Sequence, residues 1–360
     1  MRISRRDLMR GACAAGALTL LPSDRQSMAG AASRADAGFE KPFTFVHLTD
    51  THVTPKRRGD AGYRACIESI RRLDPQPAFV LMGGDMAFDG TYHTKAEFEE
   101  QIRLFKEVSA VLDIPWYPCM GNHDVLGLSK RRKVASDDPE IGKKMIMDRL
   151  DWKNSYYSFD HAGWHFIVLD SVFPVGGPQG PLYEVKIGPE QLEWLAYDLG
   201  AAKGRPTVAV THIAAFCNNI QIAARPDSKG LGHIVSDTVE LRTILERHQV
   251  KALLQGHNHR TEEYRLNGVW YLTSAAASGA WWAGDWVGSP PGYTVLRCDG
   301  QQLTWTHHTF LWEPHPEPAD EVEREAIAAH KAFAAEQERL LEIERAGRKP
   351  WPKQETYMRR

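Results

Sequence analysis

A chain of 360 residues with 42% hydrophobic and 25% charged residues has the make-up of a globular protein able to bury a sizeable core. Its formal net charge of -2 gives no sign of a basic surface for nucleic acid or anionic membrane. A local cationic site for a small anion can still hide inside a near-neutral total.

The N-terminus differs in kind from the rest. Ser4 to Arg10 (SRRDLMR) precedes the small, apolar run GACAAGALTLL from Gly11 to Leu21. A basic n-region, a short h-region and later small residues, Ala29-Gly30-Ala31 or Ala35-Asp36-Ala37, predict an export signal. The paired Arg5-Arg6 after a serine resembles a twin-arginine signal, read by an export machinery that carries folded proteins. Residues 1–37 are therefore expected to be a signal and linker, and the mature protein periplasmic or secreted. The h-region is too short to span a bilayer, and no later run of about 20 apolar residues exists, so an integral membrane protein is not expected. Cys13 lacks an aliphatic residue three positions earlier, which argues against a lipid anchor. Of the five cysteines, Cys66, Cys119, Cys217 and Cys298 are widely spaced with no CxxC pair, which excludes a zinc ribbon. One disulfide stays open in an oxidising compartment.

From Lys41 onward short apolar runs alternate with amphipathic ones, the mark of an α/β layer structure. FTFVHL (Phe43 to Leu48) predicts a buried strand, and YRACIESIRRL (Tyr63 to Leu73) a helix. PAFVLMGG (Pro77 to Gly84) predicts the next strand, and residues Lys95 to Leu112 the next helix. WYPCM (Trp116 to Met120) leads into Gly121-Asn122-His123-Asp124. Tyr156 to Asp170 predicts a hairpin turning near His161-Ala162-Gly163. GPEQLEWLAYDL opens with proline at an early helical position. TVAVTH and KALLQGHNH are two further strands, separated by the helix TVELRTILERH. The segments EYRLNGVWYLTS and YTVLRCDGQQLTWTHH are rich in β-formers. Two sheets face to face with helices outside would account for this order. Residues 316–360 are expected to form a charged peripheral helix and a basic tail, leaving 38–315 as one domain. The long polar loop from Ile213 to Val235 is a candidate pocket lining.

Most of these strands end in residues with ligand chemistry. Asp50 and His52 follow the first strand, Asp85 the second and Asn122, His123 and Asp124 the third. His212 follows TVAVT, and His257 and His259 follow ALLQG. In α/β proteins ligands sit beyond the carboxyl ends of the strands, so these side chains are expected to converge on one edge. Imidazole, carboxylate and amide donors suit borderline divalent or trivalent ions such as Zn, Mn or Fe, and the lack of thiolates argues against a structural zinc knot. In DxH and HxH, taken as extended, residues i and i+2 would face one site. The donors are too many for one tetrahedral ion, and two ions sharing a bridging carboxylate would use them economically.

Asp50-Thr-His52, Gly84-Asp85, Gly121-Asn122-His123-Asp124, Thr211-His212 and Gly256-His257-Asn-His259 resemble the five signature blocks of the calcineurin-like metallophosphoesterases. The resemblance runs from Phe43 to His259. It implies a four-layer α/β/β/α sandwich of two mixed sheets flanked by helices. By the same resemblance Asp50, His52 and His259 would hold one metal, and Asn122, His212 and His257 the other, with Asp85 bridging. His123 would touch the substrate, and Asp124 would orient it. The family's second block often places an Asp three residues after the bridging one; Phe88 stands there, and Asp89-Gly90 follows. His52 leaves the tyrosine-iron charge transfer of purple acid phosphatases without a source. Gly279 to Tyr293 (GAWWAGDWVGSPPGY) resembles the tryptophan-rich segment of exported bacterial members, and aromatic packing is the open alternative.

Two cations sharing a water would lower its pKa and supply a hydroxide nucleophile near neutral pH, with His123 as the acid for the leaving oxygen and Asp124 behind it. The expected activity is hydrolysis of a small phosphate ester, with a diester as the leading substrate and a monoester as the alternative. A metal-dependent envelope protein without catalysis is the competing class. No basic stripe with interleaved aromatics appears, so no role on long nucleic acid is expected.

Overall fold

Apolar residues alternate along each strand, and the alternation sorts the core into three layers. On the first strand Phe45 faces one side while Val46 and Leu48 face the other, as the two-residue period of a strand requires. The computed structural model describes residues 41–218 and 232–315, with residues 317, 339 and 342. The export signal expected over 1–37 lies outside the described residues, as does most of the loop from Ile213 to Val235. The helix and tail expected over 316–360 also lie outside them, apart from Glu317 and the helical Arg339 and Glu342. Residues Phe39–Arg360 make one unit, and Met1–Gly38 another.

In chain order the first half contains β1 (Phe43–Leu48), α1 (Gly59–Arg71), β2 (Val80–Met82), α2 (Lys95–Ser109), β3 (Trp116–Pro118), α3 (Lys144–Arg149), β4 (Tyr157–His161) and β5 (Trp164–Val168). The second contains β6 (Val172–Val175), β7 (Leu182–Val185), α4 (Pro189–Ala201), β8 (Thr207–Thr211), a helix labelled α5 (Thr238–Arg247), β9 (Ala252–Gln255), β10 (Glu262–Leu266), β11 (Val269–Thr273), β12 (Gly292–Asp299) and β13 (Gln302–Thr309). A five-stranded sheet runs β13-β12-β1-β2-β3 and a six-stranded sheet β10-β11-β9-β8-β5-β4. Both are mixed: β1-β2-β3 and β11-β9-β8-β5 are parallel, while hairpins form one edge of the first sheet and both edges of the second.

Phe45, Phe79 and Leu81 meet Phe166, Val168, Val210 and Leu254 between the sheets. On the outer face of the first sheet Val46, Leu48 and Val80 pack under α1 and α2. On the outer face of the second, Ile167, Ala209 and Leu253 pack under Leu195 and Leu199 of α4 and Leu241 and Leu245 of α5. The result is the α/β/β/α sandwich. Helix α2 has its start fixed by a capping box, in which Thr94 accepts from the Glu97 backbone and Glu97 reaches back. Its Phe98, Ile102 and Phe105 recur every three or four residues and are buried.

Three differences from expectation have local causes. Helix α1 starts at Gly59 rather than Tyr63, after Arg57 and Arg58 turn the chain with φ of 53° and 54°. The hairpin β6-β7 carries Pro174, which weakens a strand signal. Helix α3 has only six residues, too few to display a period. Among the described residues no disulfide joins Cys66, Cys119, Cys217 or Cys298. Where the sandwich closes, His47 Nδ1 meets Ser274 Oγ at 2.7 Å, Ser274 meets Thr294 Oγ1 at 2.7 Å, and Thr294 meets His307 Nδ1 at 2.8 Å. Burial pushes the His47 imidazole down to about 3, so it stays neutral inside the core.

Trp282 ties this scaffold to the strand ends that carry the polar blocks. It is fully buried among α1 and β1 residues, and its Nε1 donates to the carbonyls of Thr51 and His52 at 3.1 Å each. Trp282→Ala is expected to cost about 3 to 5 kcal/mol of unfolding free energy, read from urea melts. Tyr197→Ala, at a side chain 78% exposed, should stay within about 0.5 kcal/mol of the parent. Equal midpoints for the two variants would contradict the anchoring role.

Candidate metal centre

The carboxyl ends of five strands deliver the polar side chains to one place. Asp50 and His52 leave β1, Asp85 leaves β2, Asn122 and His123 leave β3, His212 leaves β8, and His257 and His259 leave β9. Asp50, His52 and His259 form one group whose ligand atoms lie within 4.8 Å of one another, and Asp85, His212 and His257 form a second. Asp85 Oδ2 is 3.0 Å from His212 Nε2 and 3.6 Å from His52 Nε2, so it faces both groups. Asp50 Oδ1 lies 3.2 Å from His259 Nε2, and Asn122 Oδ1 3.2 Å from His212 Nε2.

The backbone does not present these residues as extended pairs. Asp50, His52, Asp85, His257 and His259 all have φ between 39° and 68°, so each sits in a left-handed turn. Non-glycine residues there cost about 1 to 3 kcal/mol each and cluster at functional sites. DxH and HxH thus converge through turns, not through the two-residue period of a strand. Close approach is also built in. A Cβ on Gly121 would lie 2.0 Å from the Asp85 nitrogen and 2.2 Å from its Oδ1, and one on Gly256 would lie 2.2 Å from Thr49 Oγ1.

Outer hydrogen bonds aim the donors. His52 Nδ1 meets the Phe88 carbonyl at 3.0 Å, His212 Nδ1 the Gly83 carbonyl at 2.9 Å, and His259 Nδ1 the Gly279 carbonyl at 2.6 Å. Each carbonyl can only accept, so Nδ1 donates a proton to it and Nε2 is the nitrogen turned to the cluster. His257 is turned over: its Nε2 meets the Gly232 carbonyl at 2.8 Å, which leaves Nδ1 facing inward. Thr49 Oγ1 donates to Asp50 Oδ2 at 2.6 Å, and the His257 backbone N–H donates to the same carboxylate. The donor set is nitrogen and oxygen only, with pre-set tautomers, and fits borderline cations.

The carboxylates and imidazoles here govern one another's charge. Burial disfavours charge on Asp50 and Asp85, yet the neighbouring imidazoles outweigh it and hold both carboxyls well below their usual range. Burial pushes His52 and His257 down to about 3. Burial also opposes charge on His212, but Asp85 and Asp50 win and raise it to about 9.

His123 stands beside this cluster, its ring 4.9 Å from that of His52 and its side chain 17% exposed. The expected orienting partner, Asp124, does not reach it. Asp124 Oδ1 accepts from the Met86 and Ala87 N–H groups at 2.9 and 3.0 Å, and Oδ2 from Gly121 at 3.0 Å. A short carboxylate at the end of a tight turn folds back onto nearby backbone, and here it locks the turns after β2 and β3 together. Burial and the Asp85 charge push Asp124 up to about 7. The residue that holds His123 is Asp89, whose Oδ2 lies 2.9 Å from Nδ1. Burial works against charge on His123, but Asp89 and Asp85 overcome it and raise the imidazole to about 10. Asp89 was visible in sequence only as the acid one position beyond Phe88. Thr49, Trp281 and Trp286, which also border the centre, carried no ligand signal.

The calcineurin-like phosphoesterase family model matches residues 43–261. The chain is 27% identical over 252 residues to the probable glycerophosphodiester phosphodiesterase GpdQ of Arcobacter nitrofigilis, covering 65% of this chain and 78% of that one. It is 27% identical over 248 residues to the serine/threonine-protein phosphatase CPPED1 of Mus musculus, covering 63% and 73%. It is also 27% identical over 235 residues to the 3′,5′-cyclic adenosine monophosphate phosphodiesterase CpdA of Escherichia coli K12, covering 62% and 72%.

Cations that bind only the folded centre should raise its melting temperature. Manganese at 100 times its Kd would add about 2.7 kcal/mol, a rise of about 4 °C over protein in chelator. Gly121→Ala, which drives a methyl into Asp85, should lose most of that response in differential scanning fluorimetry. An undiminished rise in the variant would contradict the close approach of the two turns.

Proposed function

Starting from a chain that belongs to the calcineurin-like phosphoesterase family, and is therefore a metal-dependent phosphoester hydrolase, we propose that it is a phosphodiesterase built on a two-cation centre. Asp50, His52 and His259 hold one cation, Asn122, His212 and His257 the other, and Asp85 is shared. The observation that carries this reading is the position of Asp85 Oδ2, within 3.6 Å of an imidazole nitrogen from each group. Bound there, Fe, Mn or Zn ions supply Lewis acidity, offsetting charge on the phosphoryl oxygens and acidifying the attacking water.

The chain's own residues supply position and proton. The Phe88, Gly83 and Gly279 carbonyls hold three imidazoles with Nε2 turned inward, so the rings need no reorientation when an ester binds. His123 has its Nδ1 committed to Asp89, which leaves Nε2 to meet a phosphoryl oxygen or to protonate the leaving oxygen. Asp89 is the positioning residue for that ring. Asp124 acts one step further out, by locking the turns from which Asp85 and His123 project.

The diester reading is supported by two relatives that are named phosphodiesterases. CPPED1, named a phosphatase, favours a monoester as the second reading. A protein that only binds metal is disfavoured because every proposed ligand position is filled.

With manganese, kcat/KM should be higher for bis(p-nitrophenyl) phosphate than for p-nitrophenyl phosphate. The reverse order would establish the monoester reading, and turnover of neither by metal-loaded protein would sink both. Asp89→Asn should lower kcat about 100-fold with metal content unchanged, whereas Asp124→Asn should reduce metal content and stability. An Asp89 variant with full kcat would remove the positioning role.

A further inference from the structure

The loop after β11 brings two indoles to the metal centre that the reaction described above does not use. Trp281 lies 4.5 Å, centroid to centroid, from His259 and 5.6 Å from His52. Trp286 stands nearly perpendicular to it, 5.1 Å away at 84°, and 6.1 Å from His259. Both are only half-buried, while Trp282 beside them is fully buried. Anchoring of the loop thus belongs to Trp282, and the other two rings stay partly exposed at the edge of the site.

That placement is maintained against strain. Trp281 and Trp282 have φ of 49° and 69°, a conformation that is a true outlier for bulky residues. It costs about 1 to 3 kcal/mol per residue and persists only where surroundings over-determine it. They do so here: Trp282 N–H donates to Ser278 at 2.7 Å and Ala280 N–H to Gly284 at 2.8 Å. The Arg57 guanidinium, fully buried, donates to the Trp281 carbonyl. Trp286 is fixed by a tight turn, with mutual backbone bonds to Ser289 at 2.9 and 2.8 Å and φ of 48° and 78° at Val287 and Gly288. Core packing alone would require neither the strained turn nor the residual exposure.

We infer that Trp281 and Trp286 form a stacking platform for a planar aromatic ring carried by the substrate, and that the ester is a nucleoside phosphodiester. The inference rests on the hydrolase centre proposed above, because the platform adjoins the imidazoles that would hold its cations. An indole face attracts any π-system, and stacking of one base on an aromatic side chain is worth about fivefold or more in affinity. An ester bound at the cations would have its substituent beside Trp281, and an alkyl group such as glycerol would leave the two rings without a partner.

Binding can be read without turnover. Calorimetry on manganese-loaded protein would compare the non-hydrolysable 5′-phosphonates of adenosine and of ribose, and phenylphosphonate against methylphosphonate. The adenosine compound should bind at least fivefold tighter than the ribose compound, and both Trp286→Leu and Trp281→Phe should shrink that ratio. In each variant the ribose constant and the metal content should move less than twofold. A gain for adenosine alone identifies a nucleobase site, and a gain for phenyl as well identifies a site for any aromatic ring. Equal affinities for adenosine and ribose in the parent protein would overturn the inference, as would a ratio that survives both substitutions. Loss of ribose binding in step with adenosine binding would do the same, by marking the tryptophans as structural. Hydrolysis of bis(p-nitrophenyl) phosphate, measured separately, reports on the enzyme reading whichever way the binding falls.

Discussion

Asp50 and Asp85 are two buried carboxylates set among imidazoles, and much of the surrounding structure exists to make that burial tolerable. A charge moved out of water without partners is expensive, and like charges close together raise the cost. The compensation is local and specific. Thr49 and the His257 backbone N–H hold Asp50, the His123 backbone N–H holds Asp85 at 2.8 Å, and the His212 imidazole lies 3.0 Å from Asp85 and 4.0 Å from Asp50. Backbone carbonyls then fix the outer nitrogens of the imidazoles. Such a cluster is well arranged for cations, whose charge would complete the balance.

The fold serves this cluster by ending parallel strands from two sheets at one edge. Left-handed turns after β1, β2 and β9 bend the side chains back over the strand ends, and glycines at 121 and 256 let the turns touch. Asp124 ties two turns to each other, and Trp282 ties the first to helix α1. The strain of the turns is therefore distributed over bonds that lie outside the cluster itself.

The layers were legible in the sequence because strand periodicity is local: Phe45 against Val46, or Ala209 against Val210, separates inner from outer face without reference to the rest. The ligand blocks were legible because they follow those strands directly. Their geometry was not, since positive φ at Asp50, His52, Asp85, His257 and His259 is imposed by tertiary contacts. For the same reason Asp124 looked like the partner of His123. Sequence adjacency suggested it, but the turn sends the two side chains apart, and Asp89, 34 positions earlier, arrives from the loop after β2. Trp281 and Trp286 were readable as a tryptophan-rich stretch, but their place beside His259 depends on the fold. The hairpin β6-β7 and helix α3 were too short, or too interrupted by proline, to register.

Everything proposed for the centre turns on one carboxylate, Asp85, shared by two cation sites. Elemental analysis of purified parent protein and of Asp85→Ala, after equilibration with manganese and removal of free ion, tests it most directly. Two ions per chain are expected in the parent, with loss from both positions in the variant. Retention of two ions by Asp85→Ala, or a single ion in the fully loaded parent, would contradict it.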